Sequence, residues 1–214
     1  LRLDLPSEKL PLLEKLGIKQ LVLIPFDLEL SRLSAEEFIN NILINQLKAR
    51  TISVGENFRF GYKRCGDINT IKNSIKNKNI KLNIIPLLKD QEGRISSSRV
   101  RNLLLQSDLV KAKELLKRPY SFSGKVVKGK GIGKKIGFPT ANLQIDGRKF
   151  LPGEGVYAAW TKEINSGNKF PSVMNLGPQP TINPLSPSAV EVHIIDKNIN
   201  LYDLELFVEP IQMI

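Results

Sequence analysis

Apolar and polar residues follow different periodicities in the two halves of the chain. In the first half, an apolar run over 17–27 indicates a helix end that leads into a buried strand, and 51–55 indicates a second strand. Between them, Ser34 and Glu37 have the spacing of a helix capping box. Strands that alternate with helices in this way predict a parallel α/β sheet.

The second half contains a strand in which every second residue is apolar. Val190, Val192 and Ile194 fall on one face of this strand, and Glu191 and His193 fall on the other. A stiff strand therefore presents the Glu191 carboxylate away from a buried face. A solvent-facing strand glutamate would show the same pattern, so the alternation alone does not assign a role.

The segment 129–142 combines a glycine-rich basic loop with a polar turn. Glycines allow backbone N–H groups to approach phosphate oxygens, and hydroxyl and carboxamide oxygens suit the hard cation Mg²⁺. An ordinary surface turn has a similar composition, so the composition of this segment fits both a nucleotide site and a plain turn. The candidate nucleotide-binding residues are Gly129, Gly131, Gly133, Lys134, Thr140 and Asn142.

Several motifs in this half occur in a recognisable order. The glycine-rich loop is followed by Gly-Phe-Pro-Thr-Ala-Asn at 137–142, Gly-Val-Tyr-Ala at 155–158, Asn-Leu-Gly-Pro-Gln-Pro-Thr at 175–181 and Val-Glu-Val-His at 190–193. This order resembles the riboflavin kinase module of bacterial bifunctional riboflavin kinase/FAD synthetases. The resemblance implies an all-β Greek-key barrel that transfers the ATP γ-phosphoryl group to the riboflavin 5′-hydroxyl.

The same resemblance implies roles for individual residues. Thr140 and Asn142 would help to hold Mg²⁺ and the nucleotide phosphates, and Glu191 would be the general base. Phosphoryl transfer needs little covalent chemistry from the protein, so such a small set is chemically sufficient. His193 is the single histidine of the chain. It is interpreted as a pocket neighbour or a plain strand residue, since zinc would need further ligands.

The first half carries two motifs of its own. Glu-Asn-Phe-Arg-Phe-Gly at 56–61 and Ile-Ser-Ser-Ser-Arg-Val-Arg at 95–101 are similar to segments of the FMN adenylyltransferase domain of the same enzymes. Hydroxyls and amides at a helix start suit a triphosphate, which Arg101 would clamp; an ordinary serine cap is the alternative. The candidate flavin and nucleotide residues are Asn57, Phe58, Phe60, Gly61, Ser97, Ser98 and Arg101.

The chain also departs from the pattern that it resembles. The family's Gly-x-Phe-Asp-x-x-His-x-Gly-His signature is absent, and Asp203 stands where the family has glycine. We therefore expect a fragment that lacks the N-terminal histidine segment and the C-terminal helix. From this we predict FMN formation without appreciable FAD formation. The runner-up interpretation is a non-catalytic protein of the same fold that binds flavin or nucleotide.

Positive charge is distributed unevenly between the two halves of the chain. Residues 1–119 hold 22 lysines and arginines against 13 acidic residues, whereas residues 120–214 hold 10 against 8, within a net charge of +11. The basic half suits ATP and phosphorylated flavin, with a nucleic-acid surface as a weaker alternative. We predict a Rossmann-like, incomplete nucleotidyltransferase-like domain over 1–118 and the kinase barrel over 119–214, acting on ATP, riboflavin and FMN in the cytoplasm without nucleic acid or membrane.

Overall fold

A computed structural model describes residues 1–129, 138–164, 167–177, 190–197 and 199–214. Two compact units are present, and each is described by itself. The α/β unit comprises Gln20–Ile95, and the barrel unit comprises Leu1–Lys19 together with Ser96–Ile214. The sequence-based division at residues 118 and 119 remains a prediction.

The described elements are helices and strands in this chain order. They are α1 (Pro6–Lys15), α2 (Leu28–Arg32), α3 (Ala35–Glu37), a π-helical segment (Phe38–Gln46), β1 (Thr51–Gly55), a 3₁₀ turn (Tyr62–Arg64), α4 (Ile68–Ile75), β2 (Lys81–Ile85), β3 (Lys89–Asp90), β4 (Gly93–Arg94), α5 (Ser97–Leu105), α6 (Leu109–Leu116), β5 (Phe122–Val127), β6 (Ala141–Gln144), β7 (Gly155–Glu163), β8 (Lys169–Leu176), β9 (Val190–Ile194) and β10 (Glu205–Met213).

The α/β unit is built around a parallel strand pair. Strands β1 and β2 pair in parallel, from Thr51 opposite Lys81 to Gly55 opposite Ile85, and α4 forms the connection between them. The core of this unit includes Ile39, Ile52, Phe60, Ile71 and Ile75. The predicted capping box is confirmed, since the Ser34 Oγ accepts from the Glu37 amide and the Glu37 carboxylate accepts from the Ser34 amide. The expected parallel α/β sheet is therefore present, but it is formed by β1 and β2 and does not include the run at 17–27.

The apolar run at 17–27 was wrongly predicted to contain a buried strand. Residues 18–27 lie in neither helix nor strand, and Leu23 and Phe26 expose 75% and 82% of their surfaces. A parallel strand forms only where a neighbour offers hydrogen-bond partners, and in the described residues the parallel sheet contains β1 and β2 alone. Pro25 additionally removes one backbone donor from the run.

The barrel unit closes six described strands into one antiparallel barrel. The strand order is β10-β5-β6-β9-β8-β7, and β10 completes the closure because it pairs with both β5 and β7. Strand β9 alternates as predicted: Val190, Val192 and Ile194 are buried in the interior, while Glu191 and His193 remain partly exposed. This barrel, following the α/β region, confirms the fold class expected from the sequence.

Asp203 occupies a backbone conformation that favours glycine. Its φ is +68°, in the left-handed region, and its amide donates to the carbonyl of Val126. Aspartate tolerates this region better than most residues do. The carboxylate of Asp203 also pairs with the ammonium of Lys125 at 2.7 Å. An aspartate at this position is thus accommodated locally.

A buried ammonium group joins the N-terminal segment to the barrel. Lys149 has a fully buried side chain, and its Nζ donates to the carbonyl of Leu3 at 2.6 Å, the carboxylate of Glu8 at 2.7 Å and the carbonyl of Ser121 at 2.7 Å. All three ammonium donors are therefore satisfied. Burial lowers the pKa of Lys149, and the hydrogen bond to Glu8 opposes that shift.

Two further contacts reinforce the same junction. Arg118 pairs with Asp4, with its Nη2 atom 2.7 Å from each of the two carboxylate oxygens. The hydroxyl of Tyr120 donates to the carbonyl of Phe150, and the carbonyl oxygen of Leu3 lies 3.3 Å from the same hydroxyl. Burial, with a smaller contribution from the Glu8 charge, raises the pKa of Tyr120, which keeps this phenol protonated and able to donate.

The Lys149 cluster generates a prediction about stability. Lys149→Met leaves the Glu8 carboxylate without its buried partner, so the free energy of unfolding should fall by about 3–5 kcal/mol in urea titrations. The matched control is Arg148→Met, whose exposed pair with Asp146 should contribute less than about 1 kcal/mol. Glu8→Gln added to Lys149→Met should recover part of the loss. Equal effects of the two single substitutions would contradict a buried, tightly paired lysine.

Candidate active site

Three polar side chains lie in one row across the outer face of the barrel. In the strand register, Glu191 on β9 stands directly opposite Asn142 on β6 and opposite Asn175 on β8. Directly paired residues of antiparallel strands point to the same side of the sheet, with Cβ atoms about 4.5–5.5 Å apart. The barrel therefore brings a carboxylate between two carboxamides.

The row stays at the surface because its neighbours fill the core. Val190 and Val192, on either side of Glu191, are 0% and 1% exposed, and Ala141 and Leu143 flank Asn142 in the same way. Glu191 and Asn142 are partly exposed, and Asn175 is exposed. The alternation thus places three hydrogen-bonding side chains where a ligand can reach them.

Gly129 makes room for the side chain of Asn142. A Cβ atom at position 129 would lie 2.0 Å from the Nδ2 atom and 2.5 Å from the Cγ atom of Asn142. Since real Cβ contacts never approach so closely, the carboxamide packs directly on the glycine backbone. Gly129 was predicted as a nucleotide-binding residue. The structure shows that it contacts Asn142, and this contact is possible because glycine has no side chain.

His193 lies on the same outer face, two residues beyond Glu191. Its Nδ1 atom is 2.9 Å from the carbonyl oxygen of Pro139, the residue before Thr140. The ring of Phe138 contacts the imidazole in a T-shaped arrangement, with the centroids 5.5 Å apart. His193 therefore contacts the segment that leads into β6, and its interpretation as a pocket neighbour or a plain strand residue stays a prediction.

Part of the predicted kinase set lies outside the described residues. Gly131, Gly133 and Lys134 belong to this part, as do residues 178–181 of the motif at 175–181. Thr140 is described and partly buried, two residues before Asn142. The sequence interpretation named Asn175 only as part of the motif at 175–181 and missed its place beside Glu191. The position of Asn175 beside Glu191 follows from the pairing of β8 with β9. The alternation of residues within one strand does not show which residue of the neighbouring strand lies opposite.

The motif at 56–61 follows the carboxyl end of β1. Phe60 is buried in the core of the α/β unit, and Phe58 stacks on it at a centroid distance of 5.3 Å with 39% of its own surface exposed. Phe60 and Gly66 exchange two backbone hydrogen bonds that close the short loop between them. Gly61 has φ +72°, and a Cβ there would meet the backbone of Ala35 at 2.7 Å. Within the motif, the ring of Phe58 is therefore the accessible aromatic group.

An ion pair braces the end of this loop. Arg59 Nη1 donates to the carboxylate of Asp67 at 2.9 Å, and Asp67 also caps α4 by accepting from the amide of Thr70. The hydrogen bond from the Thr70 amide lowers the pKa of Asp67, and Arg59 contributes in the same direction. Asp67 is therefore held in its charged form as a structural acceptor.

The serine motif begins α5, which belongs to the barrel unit. Ser96 is the N-cap, and its Oγ accepts from the Arg99 amide, while Ser97 and Ser98 are exposed in the first turn. Arg101 Nε donates to the carbonyl of Leu1 at 3.2 Å, and its guanidinium lies 6.0 Å from the centroid of Phe150. Asn57, Phe58, Phe60 and Gly61 belong to the other unit.

Fold and site together define a two-part protein, in which a nucleotidyltransferase-like region precedes a flavokinase-type barrel. Residues 1–99 match the family model for FAD synthetase, and residues 116–214 match the family model for riboflavin kinase. Bifunctional riboflavin kinase/FMN adenylyltransferases are similar along almost the whole chain. The protein of Buchnera aphidicola subsp. Schizaphis graminum is 37% identical over 211 residues, covering 96% of this chain and 67% of that protein. This chain therefore belongs to the bifunctional riboflavin kinase/FMN adenylyltransferase family, whose members serve flavin cofactor biosynthesis.

Two further relatives indicate the same family. The Haemophilus influenzae and Escherichia coli proteins of the same name are 35% and 34% identical, each over 94% of this chain and over 65% and 63% of their own lengths. The chain thus spans about two thirds of the relatives that it matches. A crystal structure of a macrolide-efflux protein from Streptococcus pneumoniae has a TM-score of 0.87 and 29% identity, covering 100% of this chain and 68% of that one. Across the described part of the chain, no helix has the length and apolar character needed to cross a membrane.

The contact between Gly129 and Asn142 leads to a prediction. Gly129→Ala should force the Asn142 carboxamide out of its position, since the new Cβ would overlap it, and the Asn142 side-chain amide signals should shift in NMR spectra. The free energy of unfolding should change by less than about 1 kcal/mol, because the displaced group is a polar side chain at the surface. Gly147→Ala is the control, because nothing lies within 4 Å of a Cβ there. Unchanged Asn142 signals in Gly129→Ala would contradict the contact.

Proposed function

We propose that the barrel unit is a riboflavin kinase, which transfers the γ-phosphoryl group of ATP to the 5′-hydroxyl of riboflavin and forms FMN. The observation that carries this proposal is the row in which Glu191 stands between Asn142 and Asn175. A carboxylate on a rigid strand can orient a hydroxyl and accept its proton, and carboxamides beside it can fix the geometry. The family membership of the chain supports the same reaction.

The reaction balances with few protein groups. The ribityl oxygen forms a bond to the γ-phosphorus, the bond between that phosphorus and the ADP oxygen breaks, and the hydroxyl proton passes to Glu191. Thr140 and Asn142 supply the hydroxyl and carboxamide oxygens that fit a hard divalent cation, so we assign Mg²⁺ to them. Bound there with ATP, Mg²⁺ would neutralise phosphate charge. We assign Gly129, Gly131, Gly133 and Lys134 to the phosphates.

For the remaining motifs we propose flavin and nucleotide sites derived from the second activity of the family, adenylyl transfer from ATP to FMN, and we expect no appreciable FAD formation because the histidine signature of that activity is absent from this sequence. Phe58, stacked on Phe60, offers a flat aromatic face that suits the flavin ring, with Asn57 and Gly61 in the same loop. The proposed triphosphate ligands are Ser97, Ser98 and Arg101. ATP and flavins are small cytoplasmic metabolites, so we place the work of the protein in the cytoplasm, with no nucleic acid or membrane partner.

The kinase proposal is tested at Glu191. Glu191→Gln keeps the shape of the side chain and removes its capacity to accept a proton, so turnover to FMN should fall about 10²-fold or more while nucleotide binding persists. Glu205→Gln is the control, since Glu205 is an exposed glutamate on β10 of the same barrel. Its turnover should match the unaltered protein. Full activity of Glu191→Gln would remove Glu191 from the role of base, and an unaltered chain that binds flavin without turnover would favour the non-catalytic alternative.

The adenylyltransferase proposal is tested at Arg101. With the kinase site silenced by Thr140→Ala, Arg101→Ala should weaken ATP binding by about 1.5–3 kcal/mol in isothermal titration, the scale of a lost charge-assisted hydrogen bond. Lys76→Ala, at an exposed lysine, should change the affinity little. Melting temperatures of both variants separate lost binding from loss of the Arg101 contacts with Leu1 and Phe150. Equal small losses of affinity would indicate diffuse electrostatics and would favour the nucleic-acid alternative.

A further inference from the structure

The segment that carries Thr140 contacts the barrel through the side chain of His193. Residues 138–140 belong to neither helix nor strand and lead directly into β6. His193 contacts two of them, through its Nδ1 atom at 2.9 Å from the Pro139 carbonyl and through its ring against Phe138. Phe138 exposes 60% of its surface, so burial alone does not hold this segment in place.

We propose that His193 is a positioning residue for the nucleotide side of the kinase site, which it fixes by holding the peptide between Pro139 and Thr140. This inference rests on the proposed kinase function. A carbonyl oxygen only accepts hydrogen bonds, so the Nδ1 atom of His193 must carry the proton and donate it. The Pro139 carbonyl and the Thr140 amide share one planar peptide unit, so anchoring the first orients the second.

The local chain has little freedom left once this hydrogen bond forms. The ring of Pro139 fixes its φ near about −65°, and the bond from His193 determines the direction of its carbonyl. Ala141, immediately after Thr140, is already paired with Val192 in the sheet. Thr140 is therefore held between an anchored peptide on one side and a strand on the other.

His193 acts through this segment and not on the reacting hydroxyl. The described hydrogen bond of the His193 ring is to the Pro139 carbonyl, on the side of the segment that carries Thr140. Without the anchor, residues 138–140 would sample several conformations, and only a fraction would present Thr140 correctly. A partly populated binding-competent state weakens apparent affinity by that fraction, whereas the loaded complex keeps its geometry. Loss of the anchor should therefore raise KM for Mg·ATP and change kcat much less.

Two substitutions separate the hydrogen bond from the ring contact. His193→Phe keeps an aromatic ring against Phe138 but has no donor, and it should raise KM for Mg·ATP about five- to ten-fold, the scale of one hydrogen bond, with turnover reduced less than about two-fold. His193→Asn places an amide donor near the position of Nδ1 without a ring, and it should restore KM to within about two-fold of the original value. Val173→Thr, directly opposite His193 on β8, should leave both constants unchanged.

A spectroscopic measurement tests the anchor without any turnover. Because the chain contains one histidine, ring ¹⁵N signals of the labelled protein belong to His193 alone. At a pH where the imidazole is neutral, the anchor requires the Nδ1–H tautomer. Gly129→Ala, which alters the neighbouring Asn142 contact, should leave this tautomer in place.

The outcomes distinguish this inference from the kinase proposal. An Nε2–H tautomer, or a His193→Phe variant with unchanged KM, would overturn the positioning role while leaving the kinase intact. If turnover by His193→Phe fell about 10²-fold at unchanged KM, the positioning role would also be overturned, because a group acting in the chemical step would be indicated. An unaltered protein that forms no FMN would refute the kinase and, with it, the positioning role, whatever the tautomer.

Discussion

The register of β9 between β6 and β8 is the constraint on which the proposed site depends. Side chains alternate along a strand, so a slip of one residue would turn Glu191 into the barrel and expose the valines beside it. Val190, Val192 and Ile194 prevent that slip because all three are buried in the core. The hydrophobic packing of the barrel therefore determines where the carboxylate stands, and the polar row needs no separate stabilisation.

Two contacts at the edge of that row hold groups whose positions the strand register does not fix. Gly129 lets a carboxamide lie flat on the backbone, and His193 holds the peptide before Thr140. Both contacts involve segments outside the strands, where no ladder of hydrogen bonds fixes the chain. Regular sheet structure thus sets the position of the proposed base, whereas individual side-chain contacts help to position the proposed nucleotide ligands.

The sequence predicted features that depend on local pattern and missed those that depend on pairing between strands. Period-two alternation located the buried face of β9, and the capping box located the start of α3, since both signals lie within a few residues. Asn175 was missed as a site residue because its place follows from the β8–β9 register. The run at 17–27 was misread for a related reason: apolar composition fits a strand, but a strand also needs a hydrogen-bonded neighbour, which the described residues do not provide.

The buried lysine of the barrel has a consequence for how this protein can be divided. Lys149 takes two of its three acceptors, from Leu3 and Glu8, from a segment more than 140 residues earlier in the chain. A barrel excised just before Ser121 would retain every barrel strand and still carry an ammonium group with one remaining partner, the Ser121 carbonyl. The barrel therefore depends on contacts with a segment that comes before the α/β unit in the sequence. Any transplantation of the barrel into another protein would have to bring the first helix with it, as a separate strip of chain.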